Sequence, residues 1–254
     1  MNQMKIITCA SVLLLALVLA SCGPKPDEVP KYQAYYTQAH ALMEQNQPRK
    51  AIPLYKKAIK AKLDFAPAYH EIAVCYQQVG KDSAAIENYE GSIVFNPRDV
   101  DAYQSIGNIY FMQQNLQEAL SWYDKATMID YLYPRSYNNL ATIYYMRGDY
   151  KFAKKYWDLA ITVDATYPRA YYGLGLVAML TGDTTEAESK FLDAVKVGSM
   201  PEAIYMLGTL YYNQGKYDDA VSWFNRYLEK EPDGEWANKV KDMLVIIGQK
   251  KNKQ

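Results

Sequence analysis

The 254-residue chain has little of what reactive chemistry uses. It holds two histidines, His40 and His70, and three cysteines, Cys9, Cys22 and Cys75. None stands with a carboxylate or thiol at metal-ligand or triad spacing, so no metal, no cofactor and no enzymatic activity are expected. The 28 basic and 28 acidic side chains cancel, and without a basic face nucleic acid is not an expected partner. The apolar run "IITCASVLLLALVLA" at 6–20 has fifteen residues, short of the ~20 that a membrane-spanning helix needs. "GLGL" at 173–176 follows no strand and reads as helix packing rather than a phosphate loop. What is abundant is apolar surface, half of all residues, and tyrosine, with 25 copies. That composition is globular, not disordered.

Lys5, the short apolar run and the small residues closing it form a secretory signal. Its end, Leu19-Ala20-Ser21-Cys22, resembles the bacterial lipoprotein signal. The resemblance implies that residues 1–21 are removed and that Cys22 carries a diacylglyceryl group and an acylated amine. Two or more acyl chains hold a protein at a bilayer where one leaves it marginal. Cys75 is then the one free thiol, and no disulfide is expected within the mature chain. Residues 22–31, with Pro24, Pro26 and Pro30, read as an extended tether reaching about 30 Å at ~3.1 Å per residue. Gly23 does not resemble an inner-membrane retention signal, so the expected location is the bacterial cell envelope, with the outer membrane favoured.

From Tyr32 the chain repeats. Ala51, Ala85, Ala119, Ala153, Ala187 and Ala220 are spaced by 34, 34, 34, 34 and 33 residues. Four residues beyond each stands an aromatic: Tyr55, Tyr89, Tyr123, Trp157, Phe191 and Phe224. Twelve before each stands a small residue: Ala39, Ala73, Gly107, Ala141, Gly175 and Gly208. A period of this length is one supersecondary unit, and copies 32–65, 66–99, 100–133, 134–167, 168–200 and 201–234 follow from it. Tyr137-x2-Leu140-Ala141-x2-Tyr144, then Ala153-x3-Trp157, resembles the signature of the tetratricopeptide repeat family. Positions 4, 7, 8 and 11 of a copy share one helix face, and 20, 24 and 27 share a face of the next. Gly80, Gly148, Gly182 and Gly215 at position 15 end the first helix. Proline sits near every copy boundary, and Pro53 falls inside the second helix of copy 1. Residues 235–254 read as a capping helix and basic tail, burying Trp236, Val240, Met243, Leu244 and Ile247, with Asp233 as N-cap and Gly248 as its end. The expected fold is all-α: a right-handed α-solenoid of six helix-turn-helix repeats plus a C-terminal capping helix.

The family resemblance implies a concave groove lined by the first helix of each copy, binding an extended peptide or partner helix. The candidate groove residues are Tyr36, Gln104, Asn108, Arg135, Asn138, Asn139, Tyr145, Arg169, Tyr172, Tyr205 and Tyr212. Gln104, Asn108, Asn139, Arg169 and Gly173 occupy the positions of the carboxylate clamp of chaperone-binding relatives, but only partly match it. Asparagines can hold a partner's backbone while aromatics pack its side chains. Twelve of the 25 tyrosines occupy positions 4, 11 and 24 and belong to the fold. Cys75, on an apolar helix, reads as packing. Arg147-Gly148-Asp149 looks like an adhesion tripeptide but spans the turn of copy 4. The expected function is a lipid-anchored scaffold for protein partners in the envelope, serving an outer-membrane, pilus or secretion assembly. The alternative is a glycan-binding component of nutrient uptake.

Overall fold

A computed structural model describes residues 29–252. The signal segment, Cys9, the lipidation candidate Cys22, most of the tether and the last two residues of the tail lie outside the described residues. Those described form thirteen helices and no strand. Six helix pairs come first: α1 Lys31–Glu44 with α2 Pro48–Ala61, α3 Ala66–Gln78 with α4 Asp82–Phe95, and α5 Val100–Met112 with α6 Leu116–Ile129. Then come α7 Pro134–Met146 with α8 Tyr150–Val163, α9 Pro168–Thr181 with α10 Thr184–Gly198, and α11 Pro201–Asn213 with α12 Tyr217–Lys230. The single helix α13, Ala237–Lys251, closes the stack. No helix among the described residues is long and apolar enough to cross a membrane.

Only two or three residues join the helices of a pair, and so short a link forces antiparallel neighbours. The chain turns through a left-handed residue, with φ of 73°, 76°, 83° and 73° at Gly80, Gly148, Gly182 and Gly215. Copies 1 and 3 make the same turn without glycine, at Asn46 (φ 55°) and Gln114 (φ 61°). A Cβ in this conformation costs roughly 1–2 kcal/mol, less for asparagine, which bonds locally. Gln114→Gly is therefore expected to raise stability by about 0.5–1 kcal/mol, read as a higher urea midpoint at unchanged m. In copy 4 the same requirement explains the Arg147-Gly148-Asp149 triplet: Gly148 supplies the turn and the Asp149 carboxylate caps α8 by accepting from the Phe152 N–H at 3.3 Å.

The six alanines at position 20 are all fully buried, where the two helices of a pair touch. Next to them lie the position-24 aromatics, none more than 3 % exposed. A Cβ on Gly107, Gly175 or Gly208 would stand 2.5 Å from the ring of Tyr123, Phe191 or Phe224, so close packing fixes these glycines. Pro53 stays inside α2 on its exposed side, where the helix tolerates it. At the far end, Val240 and Ile247 are buried against α12, and Trp236 stacks on Tyr205 with ring centres 4.8 Å apart. Two expectations for this end are corrected. Helix α13 starts at Ala237 with no side-chain cap, because a turn at 232–236 carries the chain past Asp233 to seat Trp236. It also runs through Gly248, which sits inside the helix rather than ending it.

One polar junction ties copies 2 and 3 together. Asp99 accepts from the Ala102 N–H at 3.1 Å, capping α5, while its other oxygen meets the Ser92 hydroxyl at 2.6 Å and His70 Nδ1 at 2.8 Å. Burial alone would lower the His70 pKa, but the bond and charge of Asp99, with Glu71 and Asp101 nearby, raise it. Burial alone would raise the Asp99 pKa, but His70, Ser92 and the Ala102 N–H lower it. His70 then contributes fully below its unfolded pKa of ~6.5 and less as pH rises through the folded value. Asp99 contributes fully above ~3.9 and less as pH falls through its own lowered value. His70→Gln is thus expected to lose about 1–2 kcal/mol at pH 5–6, a gap that narrows toward pH 9 in parallel denaturation curves.

Candidate functional site

The first helix of each pair lines one face of the stack, and on that face copies 4 to 6 enclose a cavity of about 300 Å³. It lies where Trp157 of copy 4 meets Gly173 of copy 5. The indole lies over Gly173, and a Cβ there would fall inside its van der Waals envelope. Trp157 is only 3 % exposed and forms the floor. Tyr145 packs against it at 5.8 Å between ring centres, and Tyr172, Leu176 and Met200 complete the apolar wall.

The polar groups are few and placed at specific points. Trp157 Nε1–H donates to Asn138 Oδ1 at 3.1 Å, which fixes the amide at the cavity wall. The NH2 donates to Asn139 Oδ1 at a long 3.5 Å, which leaves its second hydrogen for a ligand. Thr142 is turned back on its own helix, donating to the Asn138 carbonyl at 2.8 Å. Arg169 and Glu202 stand at the mouth. Arg169 is exposed and pairs with no carboxylate among the described residues. Burial, then Glu202 and Tyr145, push the Tyr172 phenol up to about 12, so it stays a neutral donor at physiological pH. The cavity offers an apolar, aromatic-walled socket, one amide donor at its side and one free cation at its rim.

Of the eleven groove candidates, the cavity brings together Asn138, Tyr145, Arg169 and Tyr172. The others lie elsewhere. Gln104 is 2 % exposed; its amide donates to the Ser136 hydroxyl and accepts from Asn139 at 2.7 Å. Asn108 accepts from the buried Tyr123 hydroxyl at 2.7 Å. Gln104, Asn139 and Asn108 therefore form a belt joining α5 to α7 and satisfying core groups, which leaves the partial clamp occupied by the protein's own contacts. Tyr205 is 7 % exposed under Trp236, so it belongs to the cap. Tyr36 packs on Tyr55 and Phe65 in copy 1, Tyr212 lies beside Tyr217, and Arg135 is exposed near the Tyr133 ring.

Trp157, Met200 and Glu202 also line the cavity but are not among the sequence candidates. Glu202 stands at position 2 of copy 6, a groove position, so its spacing alone could have found it. Trp157 reads as core, and its second role follows only from Gly173 across the copy boundary. A larger hollow of about 530 Å³ lies at the α1–α2 turn around Asn46–Lys50, with Gln78 and Val79. It gathers turn backbone and long polar side chains and none of the groove candidates. The described residues contain no group of three His, Cys, Asp or Glu arranged to hold a metal ion.

Known proteins share this pattern of helix pairs. Family models described as tetratricopeptide repeat match residues 32–65, 138–201 and 201–233, and one described as TPR repeat matches 107–148. Together they cover more than half of the chain. The photosystem I assembly protein Ycf3 of Prochlorococcus marinus (strain MIT 9215) is 28 % identical over 126 residues, covering 46 % of this chain and 73 % of that protein. Among solved structures, Pseudomonas aeruginosa PilF is similar with a TM-score of 0.68 at 17 % identity, covering 84 % of this chain and 97 % of that one. PilW, described as a widely conserved type IV pilus biogenesis factor, has a TM-score of 0.67 at 18 % identity, covering 82 % and 97 %. YrrB, described as a TPR protein with an unusual peptide-binding site, has a TM-score of 0.53 at 21 % identity, covering 74 % and 97 %. By its repeat, its helix pairs and these matches, the chain belongs to the tetratricopeptide repeat family.

Proposed function

We propose that this protein is a lipid-anchored scaffold of the bacterial envelope that holds a partner polypeptide against copies 4 to 6. The observation that carries this reading is the cavity, where Asn138, Tyr145, Arg169 and Tyr172 converge around a Trp157 floor. Its volume suits one large apolar or aromatic side chain. Asn138 can donate to the partner's backbone carbonyl, and the unpaired Arg169 can take a carboxylate or a second carbonyl. The path for the rest of the partner is marked by Met112, Met146 and Leu180, at position 13 of copies 3, 4 and 5, all exposed. Met146 also lines the cavity, so stripe and socket are continuous. The names of similar proteins, a pilus biogenesis factor and an assembly protein, support an assembly role for the partner complex. Cys22 supplies the anchor, which confines the groove to a membrane surface and raises its effective concentration for envelope partners.

Selection from a random peptide display library on the soluble chain tests this. Enriched peptides are expected to share one Phe, Trp, Leu or Met beside a free or acidic carboxylate. Enrichment without such an anchor, or displacement by soluble oligosaccharides, would redirect the reading to glycan uptake.

A further inference from the structure

The antiparallel pairs sort helix ends onto two edges. The starts of α1, α3 and α5 and the ends of α2, α4 and α6 share one edge, as contacts along it show. Tyr32 meets Phe65 with ring centres 4.9 Å apart, Tyr69 meets Phe95 at 5.4 Å, and the Tyr133 hydroxyl donates to Asp101 at 2.5 Å. That edge carries an unusual load of unburied apolar side chains. Leu63, Val94, Met128, Tyr131 and Leu132 are each 60–79 % exposed, and Phe95 is 43 %. They cluster where the chain is otherwise well packed, and they stop after copy 3. Thr162, Ala165 and Thr166 hold this edge in copy 4, and Glu229, Glu231, Asp233 and Glu235 hold it at copy 6. Basic Lys31, Lys60 and Lys62 flank the apolar end, and Asp64, Asp101 and Asp130 lie along it.

The position of the chain's entry says what covers the ridge. Val29, itself 64 % exposed, leads into α1 on this same edge. Six residues separate Cys22 from Val29, and the seven Cα–Cα steps of such a stretch span no more than about 25 Å. We infer that the ridge of copies 1 to 3 rests in the headgroup region of the bilayer that holds the Cys22 lipid. This rests on the anchor proposed above. Apolar side chains with a tyrosine and flanking lysines suit that interface. The helices of copies 1 to 3 then stand upright on the membrane, and the groove opens sideways over the surface.

The test uses the full lipidated chain in vesicles of phosphatidylethanolamine and phosphatidylglycerol, some with brominated acyl chains. An environment-sensitive fluorophore is placed on Leu132→Cys or, at the opposite edge of the same copy, on Gln113→Cys. Cys75 is fully buried and burial pushes its thiol up to about 12, so it escapes labelling. The expected result is flotation of both proteins, with a blue-shifted emission and several-fold stronger bromolipid quenching at 132 than at 113. Flotation with equal, weak quenching at both positions would overturn the ridge contact while leaving the anchor in place. Failure to float would remove the anchor and the ridge contact with it. Shielding at 132 that requires added envelope protein and shows no bromolipid quenching would assign the ridge to a protein partner instead.

Discussion

Trp157→Ala is expected to lower stability by about 3–5 kcal/mol, the range for deleting a buried large aromatic. The indole is 3 % exposed, fills the space over Gly173, and its N–H bond to Asn138 holds that amide in place. Removing it leaves a void between copies 4 and 5. The solenoid is close to one-dimensional, so the loss should appear locally first. Amide exchange is expected to accelerate in α7, α8 and α9 before α1 to α4. The opposite change, Gly173→Ala, is also destabilising, by about 1–3 kcal/mol, because the new methyl strikes the same rigid ring rather than a flexible chain end. Opposite alterations of one contact that both destabilise would show a fitted pair. A neutral Gly173→Ala in thermal denaturation would show that the indole has room to move.

Asn138→Ala with Tyr172→Ala is expected to weaken partner binding by at least 2 kcal/mol, roughly 30-fold in Kd. Tyr172 is one wall of the socket, and Asn138 carries its one free amide donor. Both are half-buried, and because Asn138 accepts the Trp157 N–H and Tyr172 packs on Phe191, stability is also expected to fall by about 1–3 kcal/mol, so binding is compared at a temperature where both proteins are folded. Asn139→Ala should behave differently. Its amide serves Gln104 at 2.7 Å inside the belt between α5 and α7, so stability should fall while the socket stays intact. Binding that tracks Asn139 rather than Asn138 would move the site back to copies 3 and 4.

This contrast marks where sequence reading reaches its limit. The helix pairs were legible because three independent signals agree at a fixed period: a small residue, an alanine and an aromatic, each serving the same contact in every copy. The left-handed turn at Asn46 and Gln114 was legible only in position, since neither residue declares it. The groove face was legible as a set of positions, but not which of its side chains are free. Gln104 and Asn108 sit at groove positions yet serve Ser136 and Tyr123, and those partners lie 32 and 15 residues away. Tyr205 sits at a groove position too, but the turn at 232–236 brings Trp236 over it. The cavity depends on Trp157 leaning across a copy boundary onto Gly173. A repeat pattern hides that event, because the pattern assigns each residue to its own copy.

If the cavity of copies 4 to 6 is where a partner lies, its rim touches that partner in the cell. A photo-crosslinking side chain placed at Met146, on the cavity's exposed lip, measures this directly in cells, with Ser222 on the outer side of α12 as the reference position. A discrete protein adduct is expected at 146, none at 222, and loss of the 146 adduct when Tyr172→Ala is added. Equal adducts at both positions, or a 146 adduct indifferent to Tyr172, would contradict this placement.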